Sequence, residues 1–543
     1  MTYENDIPEY ALQPARAPKV IEAEAICDTE RITYPAEEQT VVYQFEEDIL
    51  VPDTKPDMRE ILLMDASADI LPAEKRVSPK TDDLLNITGV ITLQTIYNSE
   101  SEDREPVSIT SKVPYKYQWS LNPMEQAEGV FEPGVRNVEY MIVNERKFRV
   151  KITLEFTARL FCEKEMQFFE GLKDEPLQMK RERAAMTCLA LVKKDEVSVD
   201  ETFSAKEPGL RPKYILKQDF SVMENYRQIT TEKVVINGFV FCSLLYSAEA
   251  AGEEEGRTAI CQHNQRIEFT QFVPLEKENR GKNWSSVRTF FNSRDLTVSI
   301  EQDEEDGEDV RFRIKGSVQA RVELYERRER TVITDAYHRE KFFECDFVRD
   351  RISNVSDSAA AEASVREIIG LPEGAKAAEA VYCSGKVLEY QCGCERGKAV
   401  VSGSVSCCAV WKDQEGVYRA ERIVQEFRGT ADMESAVSGQ KVSCRPLVKE
   451  AWAELINEKQ LEINCSLSLA VETCDETEIV MLRRPRFVDR PREKEYPMVI
   501  VTMQSGESLW ELAKRYRTTE EQIRSANQLE EEPQGGQRLL IVK

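Results

Sequence analysis

The sequence predicts a mainly β protein, in which three tandem β-rich domains precede a small module with the order strand, helix, helix, strand. Two observations predict the β-rich body. A Gly-centred apolar strand occurs three times at domain-sized intervals. Farther along each unit, apolar and polar residues alternate with a period of two, as in half-buried antiparallel strands. A third observation predicts the terminal module: an apolar stripe at helical spacing follows a short apolar strand.

Composition and repeats divide the chain of 543 residues into segments. The first residues are rich in Pro, Glu and Ala, and a Pro- and charge-rich stretch precedes the terminal module, which is typical of mobile linkers. The predicted segments are a flexible lead-in (1–35), three β-rich domains (36–165, 166–337 and 338–487), a linker (488–497) and the terminal module (498–543).

The repeated strands are centred on Gly89, Gly238 and Gly403, and each carries an aromatic residue eight positions later. A glycine inside a strand often marks a bulge or the close approach of another backbone. Few helices are expected in the body, and the patterns that favour them are short. They lie at 58–66, 433–437 and, as a mixed segment, 179–191.

The terminal segment 498–543 combines several local signals. An apolar strand leads into a turn, and Ser508 with Glu511 forms a capping box at a helix start. Thr518 with Glu521 predicts a second capping box and a second short helix. The apolar stripe of the first helix consists of Leu509, Leu512, Ala513 and Tyr516. Trp510 lies off this stripe, so we expect it to be partly exposed.

This pattern resembles the LysM domain in Val501, Gly506, Ser508, Leu509, Trp510, Ala513, Tyr516, Thr519, Ile523, Asn527, Leu529, Gly536, Gln537, Leu540 and Ile541. Where the family usually has Pro-Gly-Asp, this chain has Ser505-Gly506-Glu507. The resemblance implies binding of N-acetylglucosamine-containing glycans between two loops; whether this copy binds glycan or protein stays open. The predicted binding residues are Ser505, Gly506, Glu507, Ser508, Leu509, Trp510, Asn527, Gln528, Leu529, Gln534 and Gly535.

The charge balance limits the classes of partner. The net charge is −25, and acidic residues occur throughout, which disfavours nucleic acid and anionic membranes and suits a basic or neutral protein. Residues 1–18 have no basic and apolar signal pattern, and no apolar run is long enough to span a membrane. We therefore expect a cytoplasmic protein without membrane insertion, whose 14 cysteines are mostly reduced core residues.

Metal and catalytic sites are tested by their residue spacing. The third repeat is rich in cysteine, but Cys392-Gly393-Cys394 is not the usual zinc knuckle, and adjacent Cys407 and Cys408 face opposite sides of a strand. Asp48, Asp53 and Asp57 do not have EF-hand spacing. No nucleophile elbow or phosphate-binding glycine loop is present, and the two histidines are expected on loops or strand ends. The sequence predicts no enzyme, no cofactor and no metal.

The motif Asp48–Leu62 (DILVPDTKPDMREIL), the Gly-centred strands and the terminal module together resemble SPOCS-domain proteins of the spore coat, in particular a coat-morphogenesis protein of anaerobic spore-formers. Repeats two and three lack the Pro-Asp turn. The resemblance implies a non-enzymatic scaffold on the mother-cell side of the forespore. Its LysM module would dock on stage IV sporulation protein A, a coat ATPase, and its other domains would contact coat proteins. The alternatives are a wall-associated binder of peptidoglycan or chitin-type glycan and, third, a wall hydrolase.

Overall fold

The structure is a computed structural model that describes residues 19–35, 38–71, 84–100, 105–120, 127–205, 209–250, 258–282, 284–293, 295–302, 310–433, 440–490 and 496–542. The mainly β class is confirmed. The strands of the body are β1 Val20–Glu22, β2 Ala25–Pro35, β3 Gln39–Leu50, β4 Met58–Ile70, β5 Leu84–Ser99, β6 Pro106–Ser120, β7 Ala127–Asn144, β8 Lys147–Leu172, β9 Gln178–Ser204, β10 Leu210–Ile229, β11 Lys233–Ala250, β12 Thr258–Pro274, β13 Trp284–Asn292, β14 Thr297–Gln302, β15 Val310–Tyr337, β16 Phe342–Gly370, β17 Ala377–Glu395, β18 Lys398–Asp413, β19 Tyr418–Asp432, β20 Lys441–Asn457 and β21 Gln460–Val488. The terminal elements are β22 Met498–Thr502, α1 Leu509–Tyr516, α2 Glu520–Asn527 and β23 Arg538–Val542.

The strands of the body form three units of similar topology, each with a three-stranded and a four-stranded antiparallel sheet. The three-stranded sheets are the meanders β4-β5-β6, β10-β11-β12 and β17-β18-β19. The four-stranded sheets contain β2, β3, β7 and β8 in unit 1, β9, β13, β14 and β15 in unit 2, and β1, β16, β20 and β21 in unit 3. In unit 1, β2 and β3 pair with successive parts of β8, where unit 2 has the single long strand β9 along β15.

The glycines Gly89, Gly238 and Gly403 lie within the middle strands of the three meanders. At each of them the preceding strand passes so close that a Cβ atom would overlap a backbone carbonyl oxygen. The distances are 2.0 Å to Asp69 O, 2.5 Å to Met223 O and 2.2 Å to Glu389 O, respectively. The aromatic residues eight positions later are fully buried; they are Tyr97, Tyr246 and Trp411.

The three units share two hydrophobic cores, so they pack as one body. In one core the meanders meet, through Leu62, Leu63 and Ile96 of unit 1, Leu216, Leu245 and Ile260 of unit 2, and Val381, Tyr382, Cys408, Val410 and Tyr418 of unit 3. In the other core the long strands meet, through Ile32, Met166 and Phe168 of unit 1, Ala184, Met186, Cys188 and Val332 of unit 2, and Ile352, Ile479 and Met481 of unit 3.

The ends of the body differ from the predicted flexible segments. Residues 20–22 and 25–35 of the predicted lead-in form β1 and β2, and Ile32 is buried in a shared core. Residues 1–18 lie outside the described residues. At the other end, β21 continues to Val488 because β16 and β1 both pair with its last residues. Of the predicted linker, 491–495 lie outside the described part, and the predicted boundary at 165/166 falls within β8.

The short helices expected in the body are strands. Residues 58–66 belong to β4 and 179–191 belong to β9, whereas most of 433–437 lies outside the described residues. In β4, Ile61, Leu62, Leu63 and Met64 are buried consecutively, because one face packs within unit 1 and the other against units 2 and 3. Burial on both faces removes the period-two alternation that indicates a strand. None of the helices in the described part has the length and apolar character needed to cross a membrane.

Candidate functional site

The terminal module has the predicted order of elements and its own core. β22 and β23 pair antiparallel, from Met498 opposite Val542 to Thr502 opposite Arg538. A two-stranded sheet is marginal alone, and both helices pack against this one. The core residues of the module are Met503, Leu509, Trp510, Leu512, Ala513, Ile523, Leu539 and Ile541.

Both helices begin with a capping box. Ser508 caps α1 with Glu511, as the sequence predicts. For α2 the capping pair is Thr519 with Gln522, one residue later than the predicted Thr518 with Glu521. Thr518 is buried instead, and its hydroxyl donates to the carbonyl oxygen of Val542. The sequence contains two pairs at capping-box spacing, Thr518 with Glu521 and Thr519 with Gln522. The second pair forms the cap because Thr518 is buried against β23.

The two loops of the predicted groove lie side by side; we call residues 503–508 and 528–537 the rim. The N–H of Gly536 donates to Met503 O at 2.7 Å, and the N–H of Met503 donates to Gln537 O at 2.9 Å. Gly535 fits so tightly that an added Cβ would lie 2.9 Å from Ser505 Cα. Gly506 has φ of 83°, which favours glycine. The rim is therefore held by backbone contacts.

The predicted site residues divide into two groups. Those exposed on the rim are Ser505, Gly506, Ser508, Gln528, Gln534 and Gly535. The side chain of Glu507 is buried; its carboxylate accepts from the N–H of Gln504 and pairs with Arg515. Leu509 is in the core, and Leu529 packs partly against it, so both shape the module from inside. The exposed groups offer hydroxyl, amide and backbone polar atoms with little formal charge.

Asn527 holds the fold of the module together. Its amide donates to the carbonyl oxygens of Ile523 and Leu540, and its carbonyl oxygen accepts from the N–H of Leu540 at 2.7 Å. These bonds join the end of α2 to β23 and use both the donor and the acceptor of the side chain. Asn527 was predicted as a binding residue, and the structure gives it this structural role.

Trp510 faces the body of the protein. Its indole N–H donates to Asp335 Oδ2 at 2.8 Å, and its ring lies edge-to-face on Tyr337 with centroids 5.0 Å apart. Lys514 pairs with the same Asp335 at 2.7 Å. The Tyr337 hydroxyl donates to Thr518 O at 2.5 Å. The module thus docks through α1 and Thr518 on the last residues of β15; we call this contact the dock.

The dock corrects the prediction that Trp510 is partly exposed, since its exposed fraction is 9%. Trp510 lies off the apolar stripe of α1, and the end of β15 buries it. The sequence analysis missed Asp335 and Tyr337, because nothing in an alternating strand marks residues that meet a module more than 150 positions later. The dock uses a face other than the exposed rim.

Because the dock contains Tyr337, we expect it to lose stability at alkaline pH. Burial, and then the carboxylate of Glu520, raise the pKa of Tyr337 from about 10 to about 12. Protonated Tyr337 stabilises the dock fully below pH 10, because Tyr337 of the undocked protein ionises near that value. This contribution is lost as the pH rises through 12. We expect protease cleavage between body and module to accelerate over this interval. Tyr337→Phe, which has no proton to lose, should show less acceleration; an identical pH profile would contradict this assignment.

The Pro-Asp turn of unit 1 is organised by Arg146. Its guanidinium donates to the carbonyl oxygens of Val51, Pro52 and Lys55 and to the carboxylates of Asp53 and Asp57. Asp48 pairs separately with Arg149 and Lys147, which lower its pKa. The three aspartates therefore each pair with an arginine or lysine side chain. Among the described residues, one group of carboxylates lies close enough to share an ion, namely Asp57, Glu100 and Glu145.

Two pairs of cysteines lie close together in unit 3, Cys392 with Cys444 and Cys407 with Cys465, and in each pair the neighbouring thiol and burial raise the pKa of the second cysteine. Cys407 and Cys465 are fully buried in the core of unit 3. Both histidines are buried; His338 directly follows the end of β15, as predicted, whereas His263 lies within β12 instead of on a loop or strand end. His263 stacks on Phe203, and His338 accepts backbone N–H groups of residues 340 and 341.

The comparison with known families identifies a LysM domain at residues 501–541. This match covers the strands, helices and rim described above and confirms the predicted resemblance of the terminal module. No curated protein and no solved structure matches this chain significantly.

Proposed function

We propose that this chain is a non-enzymatic binding protein whose LysM module binds N-acetylglucosamine-containing glycan through the exposed rim. The observation that carries the proposal is the combination of the LysM match with a rim that the dock leaves exposed. Ligand sites for neutral sugars need a few well-placed polar groups on a rigid base. The rim supplies them through Ser505, Gln528 and Gln534 and the backbone around Gly506 and Gly535.

Titration of the full-length protein with chitotetraose tests the proposal. We expect the double variant Ser505→Ala/Gln534→Ala to bind about tenfold or more weakly, because each lost hydrogen bond costs about 1 kcal/mol. Both side chains are exposed, so the fold should not change. The matched control is Gln228→Ala on β10, an exposed glutamine of unit 2. Wild-type protein that binds neither chitotetraose nor insoluble peptidoglycan would contradict the proposal.

A second candidate is the coat scaffold that the sequence resembles. The Asp48–Leu62 segment that carries this resemblance contains an exposed turn, Asp53 to Lys55, which Arg146 holds rigid. Rigid exposed turns suit recognition by a protein partner. In this candidate the chain acts in the mother-cell cytoplasm and binds stage IV sporulation protein A and other coat proteins. Capture of purified stage IV sporulation protein A by the full chain would support it, and chitotetraose binding without such capture would favour the glycan.

A further inference from the structure

A cavity of about 770 Å³ lies where the three units meet, and neither proposed function uses it. Unit 1 contributes Phe131, unit 2 contributes Phe290, Phe291 and Arg321, and unit 3 contributes Arg445. Its volume is within the range of small-molecule sites, and its wall combines aromatic rings with cationic side chains, as ligand pockets often do. The cavity belongs to the body, and its lining residue nearest in sequence to the rim, Arg445, precedes Met503 by 58 positions.

Three arginines, one from each unit, surround the ring of Phe290. Their Cζ atoms lie 4.5 Å (Arg159), 4.2 Å (Arg321) and 3.8 Å (Arg445) from the ring centroid. The register explains part of this arrangement, since Phe290 on β13 pairs with Arg321 on β15, which pairs with Lys194 on β9. Cation–π contacts hold each guanidinium, but the three like charges repel one another.

The carboxylates nearby neutralise two of the three arginines. Arg159 pairs with Glu38 and with Glu132, the latter at 3.4 Å. Arg321 Nη2 lies 3.0 Å from Glu323 Oε1. Arg445 forms no ion pair with any described residue. Two further acidic residues line the cavity: Asp195, whose carboxylate accepts the N–H of Glu196, and the exposed Glu196 itself.

The guanidinium of Arg321 has unused donors. Its side chain is 8% exposed, and neither Nε nor Nη2 has an aligned hydrogen-bond partner among the described residues. Buried polar groups are normally hydrogen-bonded, and unsatisfied ones carry a cost. An arginine fork matches the geometry of carboxylate and phosphate oxygens. Arg321 and Arg445 therefore present, on opposite sides of a unit boundary, the donors and the surplus charge that an anion would satisfy.

We propose that this cavity binds a small organic anion, which pairs its carboxylate or phosphate group with Arg321 and Arg445 and packs an apolar part against Phe131 and Phe291. Because the two arginines come from units 2 and 3, the bound anion would join these units and stabilise the body. The occupant is a small molecule with one anionic group, since the carboxylates of Glu132, Asp195 and Glu196 in the same wall would repel a second one.

Thermal unfolding and calorimetric titration of the full-length protein test this proposal with phenyl phosphate and benzoate as probes. Sodium chloride at equal ionic strength is the blank. We expect at least one probe to raise the Tm above the blank. Arg445→Gln should weaken its binding about tenfold or more, because a charge-assisted hydrogen bond is lost. The matched control is Arg428→Gln, an exposed arginine of the same unit paired with Glu395, which should bind as wild type does.

The result with the two probes distinguishes phosphate from carboxylate ligands. If Arg445→Gln does not fold, Arg445→Lys replaces it, and we again expect weaker binding because an ammonium group cannot form the bidentate pair. The proposal is overturned if neither probe stabilises wild-type protein beyond sodium chloride. It is also overturned if a folded Arg445 variant binds as tightly as Arg428→Gln.

Discussion

Gly403→Ala is expected to destabilise the body by about 3 kcal/mol or more, at the upper end of overpacking effects. The added Cβ would lie 2.2 Å from Glu389 O and 2.8 Å from Tyr390 Cα, and both atoms belong to the backbone of the neighbouring strand. A flexible side chain could move away, but here β17 and β18 must separate. Separation of the two strands would also disturb the packing around the buried Trp411. Urea unfolding followed by tryptophan fluorescence measures the change.

The matched control for this substitution is Gly393→Ala in β17 of the same sheet. A Cβ at Gly393 would meet no heavy atom within 4 Å, so we expect a change close to zero. Equal effects of the two substitutions would show that loss of glycine flexibility, and not the contact with Glu389, determines the result. Gly89→Ala and Gly238→Ala, with similar contacts in units 1 and 2, should behave like Gly403→Ala.

Local patterns made the repeated strands and the terminal module predictable. A glycine within an apolar strand indicates that a neighbouring strand passes close to it. This contact involves only two adjacent strands of one sheet, so the sequence of the strand is enough to predict it. The module was predictable for a similar reason: Ser508 and Glu511 form a capping box within four residues. Both signals depend on neighbours that are near in sequence or in the same sheet.

Contacts between units could not be predicted in this way. The four consecutive buried residues of β4 suggested a helix because the second buried face depends on units 2 and 3, which one strand's periodicity does not encode. The same reason applies to Trp510. Its position off the helical stripe suggested partial exposure, but Trp510 is buried in one cluster with the module's core, and Tyr337, which contacts its ring, lies in unit 2. The clamp role of Asn527 was not predicted, because an amide suits both glycan binding and a backbone clamp.

Trp510→Ala is expected to release the module from the body. The substitution removes the ring contact with Tyr337 and the hydrogen bond to Asp335, whose carboxylate keeps Lys514 and the N–H of Ala336 as partners. Truncating a buried tryptophan typically costs about 3–5 kcal/mol. Part of this cost falls on the module, since Trp510 also belongs to its core. Limited proteolysis should cleave the chain between body and module earlier than in wild type.

Chitotetraose affinity separates the dock from the rim in this variant. Trp510 is not among the exposed rim residues, so a folded module should bind the sugar as wild type does even when it is undocked. Tyr337→Ala provides the control, because it disrupts the dock from the body side and leaves the module's sequence intact. If both variants accelerate cleavage and keep their affinity, the dock only positions the module. If Trp510→Ala alone loses affinity while α-helical circular dichroism persists, Trp510 supports the rim itself, and our separation of the two faces is wrong.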